Sequence, residues 1–260
     1  MWALGDYPRV AGDIIPDLGA VLVEACGIEP GTRVLDVAAG AGNAAIPAAL
    51  MGASVVASDL TPELIESGRL KARDRGVAMD CREADAEALP FRDGEFDAVL
   101  SCVGVMFAPH HQASADELVR VCRPGGIIGL VNWTAEGFIG QMLATMKPYA
   151  PPPPPGAQAP TRWGSEEYVR SLFGDRVTEV VSRRQAVSID LFADAKAFRD
   201  YFRAYYGPTV GAYRGIADDA DRTAALDRDL EELGRCHDRG DEGHFTMSWE
   251  YLLFTARRCG

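Results

Sequence analysis

The chain has 260 residues, 47% hydrophobic and 25% charged, an ordinary globular composition that excludes a disordered chain and suffices for one large α/β domain. With 38 acidic against 26 basic residues the net charge is -12, so phosphate backbones and anionic lipid surfaces are repelled and no nucleic-acid partner is expected. The six cysteines (26, 81, 102, 122, 236 and 259) show no CxxC pairing, which predicts reduced thiols and neither a disulfide framework nor a metal site.

The opening MWALGDYPRV lacks a basic start and an apolar signal-type run, and the longest small and apolar stretch, 44–57, is interrupted by Pro47 and Gly52. A cytoplasmic protein without a membrane span is expected. Apolar residues recur at helical spacing from Asp13 to about Cys26, and Pro30-Gly31 turns the chain into RVLDV. Strands and helices then alternate: strand 33–37, helix 43–51, strand 54–59, helix 62–74, a short strand near 78–82, the apolar strand FDAVLSCVG, helix 112–122 and strand 127–133. That rhythm predicts a parallel sheet covered on both faces.

After Trp133 the rhythm changes. A helix is expected at 136–147, followed by five prolines at 151–155 acting as a stiff spacer. Next come a short helix capped by Ser165 and a strand over 177–189. One long helix then carries Phe198, Tyr201, Phe202, Tyr205 and Tyr206 on a single face. A charged helix at about 218–237 precedes a last strand, SWEYLLFTA, which would close the sheet edge as an antiparallel hairpin. The expected division is an N-terminal helix or flap at 1–29, a core at 30–135, a helical cap at 136–245 lending one strand to the sheet, and a final core strand at 246–260.

The stretch VLDVAAGAGNAA, 34–45, puts an aspartate at a strand end and glycines in the turn after it, an arrangement open to two cofactors. Gly40 to Ala45 matches the loose G-x-G-x-x-A dinucleotide fingerprint, and Asp59 lies where a ribose-binding acid belongs, so an NAD(P)-dependent oxidoreductase is one reading. Against it, Asp36 would set a fixed anion near the pyrophosphate, and no Tyr-x-x-x-Lys pair suggests itself. A phosphate-free cationic ligand suits Asp36 better.

Five blocks in order carry a resemblance to the class I S-adenosylmethionine (SAM)-dependent methyltransferases, in the small-molecule branch similar to the ubiquinone and menaquinone enzymes. They are VLDVAAGAG, ASDLTPELI, READAEALPF, FDAVLSCVGVMF and ELVRVCRPGGIIGLVNW, spanning roughly residues 30–135. The resemblance implies a doubly wound Rossmann-like sheet of seven strands, mostly parallel with an antiparallel last strand, and an inserted helical cap. It implies that Asp36, Ala38, Gly40 and Gly42 wrap the methionine half of SAM, and that Asp59 accepts from the ribose hydroxyls with Leu60 beside it. Asp85 and Ala86 would meet the adenine, and Ser101 is a further cofactor contact. The product would be S-adenosylhomocysteine (SAH). Ala38 stands where the family has its first glycine, and only a small adjustment is expected if its φ is negative.

The acceptor implied is a small metabolite, with aromatic ones among the candidates, methylated on O, N or C. An imidazole at the site mouth, His110 or His111, could serve as base, with at most one of the two facing the substrate. Histidine in the related quinone-type enzymes often falls earlier, where this chain has Met106 and Phe107. Trp133, Trp163, Tyr206 and Tyr7 are candidate substrate contacts. Trp2, Tyr7 and Arg9 could form a flap in which Arg9 pairs with the cofactor carboxylate. A protein that binds SAM without transferring methyl groups remains a further alternative, and oligomeric state is not legible.

Overall fold

Central strands of this chain are buried along nearly their whole length, as they must be when both faces of a sheet are covered. In the computed structural model, which describes residues 2–241 and 243–260, the strands are Arg33–Val37 (β1), Ser54–Asp59 (β2), Asp80–Glu83 (β3), Phe96–Cys102 (β4), Cys122–Trp133 (β5), Val177–Ile189 (β6) and Met247–Arg258 (β7). They form one seven-stranded sheet in the order β3-β2-β1-β4-β5-β7-β6. Strands β1 to β5 pair in parallel, and β7 lies antiparallel between β5 and β6. The chain leaves β1 toward β2 and returns to β4 on β1's other side, so the switch point of the sheet falls between the C-terminal ends of β1 and β4.

The helices of the first half are Tyr7–Ile14 (α1), Leu18–Ala25 (α2), Ala45–Leu50 (α3), Pro62–Asp74 (α4) and His111–Val121 (α5). The single helix expected from Asp13 to Cys26 is two helices, because Pro16 has no N–H to donate and falls at the junction. The first of them begins well before Asp13: the Asp6 side chain accepts from the Arg9 backbone N–H at 3.1 Å, and Pro8 sits in the first turn. Its buried side, Tyr7, Val10, Ala11 and Ile14, brings the N-terminal segment into the core as a helix. Strand β5 starts five residues earlier than expected, since Phe96 pairs with Cys122 and the Pro124-Gly125 turn is taken up as a register shift.

The second half adds Phe138–Met146 (α6), Glu166–Phe173 (α7), Ala195–Tyr205 (α8), Gly207–Gly215 (α9) and Ala220–Cys236 (α10). Ser165 caps α7 by accepting from the Tyr168 N–H. The expected long aromatic helix ends at Tyr205. Tyr206 takes an extended conformation (φ -88°, ψ 112°), because a residue two before Pro208 leads into a new helix whose first turn the proline favours. Within 136–245, α7 packs on α5, where the Gln112 side-chain amide donates to the Leu172 carbonyl at 3.0 Å, while α8 packs against α9 and α10. Among the described residues no helix is long and apolar enough to cross a membrane.

Candidate functional site

The turn after β1 is left-handed at three of five residues: Ala38 (φ 52°), Gly40 (φ 56°) and Gly42 (φ 88°). The expectation of a negative φ at Ala38 is therefore corrected. The Ala38 side chain accepts a conformation costing about 1–2 kcal/mol for an L-residue, because the turn on either side is tied down. Ala39 N–H donates to the Ser58 carbonyl at 2.9 Å, and Gly40 N–H donates to Asp59 Oδ2 at 2.8 Å. Opposite the turn, a Cβ on Gly104 would lie 2.2 Å from the Ala38 carbonyl oxygen, so only glycine lets the two segments approach.

Asp59 is buried at the end of β2, with Oδ1 accepting from the Thr61 N–H at 2.9 Å. Burial raises its carboxyl above the usual range, and the backbone donors at Thr61 and Gly40 oppose that rise. A carboxylate has about four acceptor positions, so two backbone bonds leave capacity for hydroxyl donors. Asp85 accepts from the Glu87 N–H at 2.9 Å and stands beside Ala86. These residues, with Ala38, Gly40 and the 62% exposed Leu60, border a cleft of about 380 Å³ at the switch point. Among the described residues its lining holds Asp59 and Asp85 but no lysine, arginine or histidine.

Three of the expected contacts do not reach this cleft. Asp36 is fully buried beneath the turn, where Oδ2 accepts from the Ala45 N–H at 2.8 Å at the start of α3 and Oδ1 has no hydrogen-bond partner. Burial pushes its carboxyl up to about 7 against the opposing N–H groups of Ala45 and Ala44. Ser101 is also fully buried, donating to the Val37 carbonyl at 2.7 Å and accepting from the Val105 N–H at 2.9 Å, so its hydroxyl braces the turn from below. Gly42 faces α3 and Met79, where an added Cβ would lie 3.0 Å from Ile46 Cγ1 and 3.5 Å from Met79 Cε.

A narrow recess of about 30 Å³ adjoins the cleft, and Trp2, Tyr7, Val103 and Phe107 line both. Trp133, Phe202, Tyr206 and Trp249 form its far walls. The expected contacts Tyr7, Trp133 and Tyr206 are thus brought together, whereas Trp163 lies elsewhere, fully buried beside His111 at a ring separation of 5.6 Å. Neither histidine lines the cleft or the recess. His111 is fully buried with Nδ1 3.1 Å from the Tyr168 hydroxyl, and burial pushes its imidazole down to about 4. His110 points to Glu87, with Nδ1 2.8 Å from Oε2, and that hydrogen bond raises its pKa. Arg9 pairs with Asp13 at 3.5 Å and lies over the Tyr205 ring at 4.2 Å. It too is absent from the cleft lining.

Trp249 and Gly104 were missed by sequence reading. The alternation in SWEYLLF places Trp249 and Tyr251 on one face of a strand, a signal that was there to be used. Gly104 carried none, because its role depends on the Ala38 carbonyl across the fold.

Residues 35–130 match the family described as "Methyltransferase domain". An uncharacterized protein of Mycobacterium tuberculosis is 53% identical over 259 residues, covering 100% of this chain and 93% of that protein. The ubiquinone/menaquinone biosynthesis C-methyltransferase of Pseudomonas putida is 38% identical over 117 residues, 43% of this chain and 46% of its own length. The crystal structure of the YcgJ protein from Bacillus subtilis superposes with a TM-score of 0.65 at 18% identity, covering 93% of this chain and 98% of that one.

Proposed function

From the premise that this chain belongs to the class I SAM-dependent methyltransferases, we propose that the cleft binds SAM and that the aromatic side chains it shares with the adjoining recess meet a small apolar acceptor for its methyl group. The observation that carries this reading is the lining of the cleft: two carboxylates, an exposed Leu60 and no cationic side chain. A dinucleotide brings phosphates that need open backbone N–H groups or cationic partners, and here the Gly40 N–H is already given to Asp59; SAM has no phosphate and carries an ammonium and a sulfonium. The residues present therefore fit SAM and disfavour the nicotinamide alternative.

In this reading Asp59 accepts from the ribose hydroxyls, Leu60 covers one face of the adenine, and Asp85 with the Ala86 N–H meets its edge. The turn at Ala38 to Gly40 lies along the methionine part. Asp36 and Ser101 act from beneath, holding that turn in its left-handed form. SAM supplies a methyl carbon already activated by the sulfonium, which leaves the protein to align the acceptor and exclude water. Both tasks suit a recess walled by tryptophan, tyrosine and phenylalanine. The acceptor is methylated on O, N or C, and SAH leaves as product.

Calorimetric titration with SAM, SAH and NADPH tests the assignment. Binding of the first two, lost in Asp59→Ala, is the expected outcome. Tight binding of NADPH with none of SAM would contradict it.

A further inference from the structure

Trp2 stands between the cleft and the recess and lines both. The volumes on its two sides leave no place for an acceptor. A cleft of about 380 Å³ lies near the small end of the roughly 300–1,000 Å³ that a drug-sized ligand occupies, so SAM alone accounts for it. The recess, at about 30 Å³, has room for a water and not for a ring. An acceptor beside the cofactor therefore needs a wall that moves.

Four side chains are shared by the two spaces: Trp2, Tyr7, Val103 and Phe107. Three of them are fixed. Tyr7 belongs to α1, and its ring fills the space a Gly40 Cβ would take. The Val103 N–H donates to the Val131 carbonyl at 2.8 Å, and the Phe107 N–H donates to the Gly104 carbonyl at 3.0 Å. Trp2 has no such tie: among the described residues, no backbone hydrogen bond joins residues 2–4 to anything beyond their own turn.

Gly5 and Asp6 mark where that freedom ends. A Cβ on Gly5 would lie 2.1 Å from the Tyr205 carbonyl oxygen, and the Asp6 N–H donates to the same oxygen at 2.9 Å, so the chain is clamped at this point. Ahead of the clamp, Leu4 is exposed and none of residues 2–4 is fully buried. What holds Trp2 is its indole, which stands edge-on to Tyr7, Phe107 and Tyr206 at centroid separations of 5.2, 4.7 and 5.7 Å. Three ring edges around one plane make a seat that any flat apolar ring can fill, and the indole is the occupant the chain itself provides.

Resting on the proposal that the cleft binds SAM, we infer that Trp2 is a plug in the acceptor's place: residues 2–4 pivot outward about the Gly5-Asp6 clamp, and a flat apolar acceptor takes the seat of the indole. The space so opened has the size of an indole and joins the recess, which brings the acceptor to the border of the cleft. Trp2 thereby sets specificity, because an acceptor must compete with it for the same three rings. Among the described residues the recess has no lysine, arginine or histidine in its walls, so a charged ring would enter without a partner.

Fluorine NMR of protein labelled with 5-fluorotryptophan, saturated with SAH and titrated with 2-naphthol, tests the inference. The Trp2 line is the one absent from Trp2→Phe. It is expected to move to the position of a solvent-exposed tryptophan as 2-naphthol binds, while Trp163, buried beside His111, keeps its line. Calorimetry on SAH-saturated Trp2→Ala should show 2-naphthol bound about 10-fold more tightly than by the parent, which binds only in the fraction whose plug has moved. If 2-naphthol bound the parent with the Trp2 line unmoved, the indole would not be in the acceptor's place and the inference would be overturned. Binding by the alanine variant alone would make Trp2 a permanent wall, and binding by neither protein would remove the seat; both overturn the inference. Failure of SAH itself to bind would instead overturn the reading on which the inference rests.

Discussion

The cleft and the recess touch, yet they are built by opposite means. The cleft is built around backbone: a turn left-handed at three positions, whose Gly40 N–H is spent on Asp59, with Asp85 across from it accepting from the Glu87 N–H. The recess is made of side chains from α1, β5, β7, α8 and the segments flanking them, and its walls are almost wholly apolar. Backbone geometry leaves little room for variation, so the cleft can recur unchanged over many acceptors. A wall of packed rings can be exchanged residue by residue, and the choice of acceptor belongs there.

Trp249→Ala should have the largest effect on the fold. It removes a fully enclosed ring stacked on Phe138 at 4.9 Å and should cost about 3–5 kcal/mol, read by denaturant melts. SAH affinity should stay within about twofold if the two regions are independent. A collapse of both would erase the distinction. Asp59→Ala is the converse: a loss of SAM affinity of about 100-fold, from charge-assisted hydrogen bonds worth roughly 1.5–3 kcal/mol each, measured by calorimetry.

Asp36→Asn sharpens the contrast between the turn and its floor. The folded protein holds a proton on Asp36 up to about pH 7, whereas the unfolded chain gives it up in the ordinary carboxylate range. The stabilisation from this group is therefore full below the ordinary carboxylate range, declines as pH rises from there, and is gone above about 7. The asparagine variant should melt higher than the parent at pH 8 and show a smaller gain at pH 5, in paired thermal scans. The smallest effect expected is that of Ala38→Gly. Relief of the left-handed alanine should add about 1 kcal/mol, or about 2–4 °C in the melting midpoint, with SAM binding retained.

The same division explains what could be read from the sequence. Strands β1, β2 and β4, the acid at Asp59 and the turn at Gly40 follow one another within a short span and answer to local rules of period and backbone freedom. The place of Asp59 and Gly40 at the cleft was legible, and so was that of Asp85 and Ala86. The orientation of Asp36 and Ser101 was not, because both side chains turn inward to carbonyl and N–H groups supplied by the fold. The histidines had the right place in the chain and the wrong direction: α5 begins at His111 and buries it against Tyr168. Tyr206 was read as the last residue of a helix face, yet Gly207-Pro208 ends that helix and leaves Tyr206 over the recess. The recess itself joins Trp2 to Trp249, and no local pattern connects positions so far apart.

The most direct test of the account is a crystal structure with SAH bound. The ribose hydroxyls are predicted within hydrogen-bond reach of Asp59, the adenine between Leu60 and the Asp85-Ala86 edge, and the sulfur turned toward Trp2 and Phe107. A ribose remote from Asp59, or a sulfur facing away from the recess, would contradict it.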